Sequence, residues 1–168
     1  ERGISSSRTN GFSVTRNETG ELLNESTNDN FTSGDTYNFQ NQLLLSRRFK
    51  RKGRSLSFTF TNDNSNNQTE QLRNSANYFY QTQLPDDIRN QNILSSNHTD
   101  RYALNVVYRE PIGSKQTLTL SATNTWRNEF QGRNTFDWNE NADNFSDYND
   151  LLSFSNNLKG YRLDPSIG

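Results

Sequence analysis

From Ser55 to Thr61 every second residue is apolar: Leu56, Phe58 and Phe60 alternate with Ser55, Ser57, Thr59 and Thr61. A two-residue period puts alternate side chains on opposite faces of an extended chain, so this stretch predicts a strand with one apolar and one polar face. The preceding segment, TYNFQNQLLLSRRF, carries Tyr37, Phe39, Leu43, Leu45 and Phe49 on one parity, interrupted by Asn41 and Arg47. Its other parity is polar except for Leu44. Lys52-Gly53 lies between the two runs within a knot of six basic residues. A glycine that tolerates positive φ between strand-forming runs predicts a tight hairpin turn. The design returns further on, where Tyr102, Leu104, Val106 and Tyr108 lead into EPIGSK, with Pro111 and Gly113. Leu118, Leu120 and Ala122 lead out, with Trp126 on the same parity.

Composition narrows what such strands can pack against. Hydrophobic residues make up 29% of the chain and mean hydropathy is -1.09, against ~45–50% apolar residues in ordinary globular domains. Disordered chains are equally polar, but they lack aromatics and carry a large net charge. Here aromatics reach 12% and the net charge is -1. The polarity comes from Asn, Ser, Thr and Gln, which suits strands with one wet face. No run approaches the ~20 apolar residues of a membrane-spanning helix. The absence of cysteine excludes disulfide frameworks and thiolate metal sites. A near-neutral balance argues against nucleic acid as a partner. The residues after Glu1 lack the basic start and apolar run of a secretory leader, so a processed or internal segment is expected.

The two tight turns, centred near Gly53 and Gly113, are 60 residues apart and separated by a long Asn-rich excursion. Outer-membrane β-barrels combine short periplasmic turns, long extracellular loops, apolar-out and polar-in alternation, and aromatic girdles. A spanning strand needs ~9–11 residues, and each arm supplies three to five apolar positions of that length. The expected fold is therefore all-β: antiparallel hairpins forming part of a transmembrane β-barrel with short periplasmic turns and long extracellular loops, the Asn-rich excursions supplying the loops. Residues 1–168 are expected as one unit of about five strands with short turns near 50–54 and 110–115.

Expected to face lipid are Leu43, Leu45, Leu56, Phe58 and Phe60 from the first hairpin, and Tyr102, Leu104, Val106, Tyr108, Leu118 and Leu120 from the second. Phe49 and Trp126 are expected in interface girdles, and Lys52, Gly53, Pro111 and Gly113 in periplasmic turns. A buried Leu or Phe contributes roughly 1.5–3 kcal/mol, whereas arginine at the bilayer midplane costs ~2–4 kcal/mol. Arg47, on the apolar parity, is therefore expected near the interface, where its stem can snorkel.

LLLSRRFKRKGRSLSFTFTNDNSNN and YALNVVYREPIGSKQTLTLSATNTW resemble the outer-membrane β-barrel proteins of Bacteroidota, a family related to TonB-dependent transporters. In that family a Phe-x-(Lys/Arg)-(Lys/Arg)-Gly-Arg turn and a Tyr-x-Glu-Pro-(Ile/Leu)-Gly turn close successive hairpins; here these are Phe49 to Arg54 and Tyr108 to Gly113. The resemblance covers most of Asp35 to Tyr161. It implies an outer-membrane location, a role in transport or uptake, a barrel enclosing a plug, and a TonB-type energy-coupling partner. Neither a plug nor a TonB-contacting segment is recognisable in the sequence. An interior slice of such a barrel has two unpaired edges that lipid cannot satisfy.

Other chemistry is thinly represented. His98, the one histidine, has no evident partner in SNHTD, and no nucleophile elbow or phosphate loop occurs. Asp86-Asp87 and the group Glu140, Asp143, Asp147 and Asp150 read as solvated loop acids, the latter with some capacity for a divalent ion. Asp63 begins a run without the glycine or the twelfth-position glutamate of an EF-hand. No enzyme activity and no cofactor are expected. The basic knot has the character of an attractor for anionic headgroups. Two alternatives remain: a surface β-sandwich that binds glycans or host surfaces, and a structural barrel subunit of a larger outer-membrane complex.

Overall fold

The computed structural model describes residues 1–81, 85–113 and 115–168. The described residues are all-β and form one antiparallel sheet of seven strands. In chain order these are β1 (Arg2–Arg16), β2 (Leu22–Arg48), β3 (Ser55–Phe79), β4 (Asp87–Pro111), β5 (Thr117–Asn139), β6 (Asn144–Tyr148) and β7 (Phe154–Ile167). β1 to β5 pair in sequence order, and both β6 and β7 pair with β5. β6 takes the end of β5 near Trp138 and β7 takes the stretch from Leu120 to Arg133, so the two occupy successive parts of one edge. The sheet is open, with β1 on one edge and β6 and β7 on the other.

Two expectations need correction. The described residues form seven strands rather than about five. The polar excursions, expected as loops, are strand almost throughout: β2, β3, β4 and β5 run 27, 25, 25 and 23 residues. At ~3.3 Å per residue a 25-residue strand is about 80 Å long, several times the apolar band of a barrel. Unbroken register explains how such polar segments stay extended. β2 and β3 remain paired from Asn24↔Phe79 to Arg48↔Ser55, so backbone donors and acceptors are met along the whole ladder.

Cross-strand side chains add to this. Thr36 Oγ1 donates to Asn67 Oδ1 at 3.1 Å, and Asn105 Nδ2 to Thr123 Oγ1 at 2.8 Å. Arg2 and Arg8 tie β1 to Asp35 and Asp29 of β2 at 2.5 and 2.6 Å.

The connections are short at both ends. At one end lie the β2–β3 turn, where Gly53 has φ 89° and the Arg54 N–H donates to Arg51 O at 3.1 Å, and the β4–β5 turn that contains Gly113. Pro111 is the last residue of β4, paired with Thr117. At the far end the NETG turn links β1 to β2, with Gly20 at φ 86°. There the Asn17 side chain accepts from the Thr19 and Glu21 amides.

The sheet has almost no core. Among the described residues, only Ala76 and Ile93 are buried hydrophobics. The fully buried Thr135 sits under the elbow between β6 and β7, its amide donating to Ser153 Oγ at 2.9 Å and its hydroxyl to Leu152 O at 3.2 Å.

Candidate functional site

The register assembles the alternating residues into rows that cross five strands. Leu45, Phe58, Val106, Ala122 and Pro165 form one row; Leu43, Phe60, Leu104, Asn124 and Leu163 form the next. Toward the short turns the row reads Arg47, Leu56, Tyr108, Leu120, Ile167. On the far side it reads Asn41, Asn62, Tyr102, Trp126, Tyr161. Because paired residues in a sheet project to the same side, these rows make one apolar band on one face.

The intervening rows make the other face. They read Ser46, Ser57, Val107, Ser121, Ser166, then Leu44, Thr59, Asn105, Thr123, Asp164, then Gln42, Thr61, Ala103, Thr125, Arg162. That face is polar apart from Leu44, Val107 and Ala103.

Among the described residues, no second layer covers the band. Leu43 and Leu45 are 55% and 57% exposed, and the other band residues are exposed or half-buried. From Leu118 to Trp126 the band spans nine residues of β5, about 25–30 Å along the strand. Its far margin is aromatic: the Phe60 and Tyr102 rings stack at 6.4 Å, and Trp126 and Tyr161 meet at 6.0 Å. Phe49 marks the opposite margin in the β2–β3 turn, with the Arg47 guanidinium 5.7 Å from its ring centroid. Arg47 pairs with Leu56, which puts it at the short-turn end of the band.

The two short turns interlock. Glu110 accepts from Arg54 Nε at 2.7 Å and Nη2 at 2.8 Å, from Arg51 Nη1 at 2.8 Å and from the Tyr108 hydroxyl at 2.5 Å. A Cβ placed on Gly53 would sit 3.6 Å from the Pro111 ring, an ordinary contact. Charge-assisted, bidentate bonding of this kind favours the ionised carboxylate. The Arg54 guanidinium first, and then the Tyr108 hydroxyl, lower the Glu110 carboxyl from 4.5 to about 2.

A lowered folded-state value means that the staple's contribution is complete above the unfolded value of 4.5 and disappears as pH falls through about 2. Glu110→Gln should therefore make the turns more susceptible to a protease at pH 7. With an acid protease, the gap between variant and unaltered chain should close as pH falls through that window. A gap unchanged near the lower limit, or absent at pH 7, would contradict the staple.

Of the remaining candidates, His98 does have a partner: Nε2 lies 2.8 Å from Asp100 Oδ2, which sits two residues along on the same face. Asp100 also accepts from Asn64 Nδ2 at 2.5 Å, and no nucleophile joins the group. The acids near the far end do not converge, and no cluster of three or more His, Cys, Asp or Glu suited to a metal occurs among the described residues. Asp147 accepts from Asn139, and Asp86 accepts from the Phe79 amide. Tyr161, Leu163 and Ile167 complete the band although the sequence reading passed over them; their own alternation was the available signal. Comparison with protein-family models, with curated proteins and with solved structures gives no match for this chain.

Proposed function

We propose that this chain is part of the wall of an outer-membrane β-barrel that provides a route for transport or uptake, of the kind served by TonB-dependent transporters. The observation that carries the reading is the band: an apolar stripe nine residues deep, aligned across β2, β3, β4, β5 and β7, on a sheet that has a polar opposite face and, among the described residues, no second layer. Its nine-residue depth suits a spanning strand of ~9–11 residues. In this reading the band segments of β2, β3, β4, β5 and β7 cross the bilayer, with lipid against Leu43, Leu45, Phe58, Phe60, Leu104 and Val106. The short turns lie in the periplasm, and the polar strand extensions stand above the outer leaflet.

The wall performs no chemistry. Ser, Thr, Asn and Gln on the opposite face keep the lumen wet, and the open edges pair with further strands of the same barrel. A plug and a TonB-type partner would complete the transporter. A glycan-binding sandwich would need a second sheet against the band, and the described residues form one sheet.

Barrel membership predicts a heat-modifiable band in the outer-membrane fraction, detected with an antibody to this chain and migrating faster before boiling than after. A soluble product that ignores boiling would refute it.

A further inference from the structure

The net charge of -1 hides a strong segregation along the strands. Eight of the eighteen Lys and Arg residues fall within 47–54 and 109–115, against a single carboxylate, Glu110. At the far end lie Glu18, Glu21, Asp86, Glu140, Asp143 and Asp150, all in or beside turns. Arg51 and Arg54 are occupied by Glu110. Among the described residues, Arg47, Arg48, Lys50, Lys52 and Arg109 have no ion pair or side-chain hydrogen bond within the chain, and all five are exposed.

This cationic rim is continuous with the apolar band, because Arg47 shares a row with Leu56 and Tyr108. We infer that the short-turn end binds anionic phospholipid headgroups, whose phosphate oxygens accept from Arg47, Lys50 and Lys52. The inference rests on the band lying in lipid, for the headgroup layer then falls at this level. Arginine presents a fork and lysine a compact ammonium, and both donate to phosphate. The staple matters here too, because by neutralising Glu110 it leaves the rim without an uncompensated carboxylate.

The acidic tips do not oppose this binding. From Trp126 to Asn139 β5 runs on for ~13 residues, about 40 Å, which is several Debye lengths at physiological salt. Each basic residue close to an anionic leaflet is worth roughly a fivefold gain in partition, so any two of the three in contact already give about 25-fold and a preference of at least about tenfold is predicted.

The test refolds the complete barrel that carries this chain, so that both sheet edges are paired, with vesicles of phosphatidylcholine alone, or of phosphatidylcholine with an equal share of phosphatidylglycerol, and separates bound protein by flotation. The expected result is binding to both, with at least about tenfold preference for the anionic vesicles. Added salt should shrink the preference, and it should be lost in the combined variant Arg47→Gln, Lys50→Gln, Lys52→Gln. Equal recovery with both lipids, or a preference that survives the combined variant, overturns the inference and leaves the band reading intact. Recovery with neither lipid overturns the band reading, and the inference with it. Should the combined variant fail to bind even neutral vesicles, the double variant Lys50→Gln, Lys52→Gln, confined to the turn, decides by the same comparison.

Discussion

Val106→Arg should sharply reduce membrane insertion of this chain, while Val107→Arg should leave it nearly unchanged. The two valines are adjacent and both half-buried, but the register puts them on opposite faces. Val106 lies between Phe58 and Ala122 in the middle of the band, and Val107 lies between Ser57 and Ser121. In the membrane reading Val106→Arg places a guanidinium at mid-depth, a cost of ~2–4 kcal/mol, or roughly a 30- to 900-fold fall in the inserted fraction at equilibrium. Val107→Arg adds a cation to a wet face that already carries Arg162 and Arg109. Equilibrium folding of the complete barrel that carries this chain into vesicles, followed by denaturant titration of each variant, makes the comparison. Equal losses at the two positions would remove the facial assignment.

Trp126→Ala should be the next most damaging change, and the chain's other tryptophan supplies the control. Trp126 stands at the far margin of the band, paired with Tyr102 and meeting Tyr161 at 6.0 Å. There an aromatic ring lies across the boundary between acyl chains and headgroups. Removing it should cost ~1–3 kcal/mol of stability in the membrane, from lost apolar contact and a lost aromatic pair. Trp126→Phe should retain most of it. Trp138 makes an even closer contact, 5.0 Å to Phe145, but it lies near the far tip, beyond the bilayer in this reading. Trp138→Ala should therefore leave vesicle binding unchanged. A larger effect from Trp138 than from Trp126 would move the membrane boundary away from the aromatic row.

The apolar hairpins were legible because alternation around Gly53 and Gly113 is a local property of the chain. Strand length was not. Asn, Asp and Gly have poor strand propensity, so segments such as NDNSNNQTEQLRN read as loop. Pairing extends them anyway, because register set in the apolar half continues outward and each added residue satisfies its backbone against a neighbour. The NETG turn carries a local turn signal in its asparagine and glycine, but the polar strands on either side of it carry none. Pro165 disguised β7 in the same way: proline argues against a central strand but is tolerated on an edge, and β7 lies on an edge. The Glu110 staple joins residues 56 apart in sequence and becomes visible only once β3 and β4 are in register. For Glu140, Asp143, Asp147 and Asp150 nearness in sequence is not convergence in space.

The central claim is that one face of this sheet lies against lipid, and the chain is well suited to a direct test because it contains no cysteine. Single cysteines placed in turn at each position from Tyr102 to Arg109, labelled with a fluorophore and probed in membranes with lipid-soluble and water-soluble quenchers, read out the two faces of β4 residue by residue. Labels replacing Tyr102, Leu104, Val106 and Tyr108 should be quenched from the lipid, and those replacing Ala103, Asn105, Val107 and Arg109 from water. If there is no alternation, or if the first set is shielded from both quenchers as it would be beneath a second protein layer, the account is wrong.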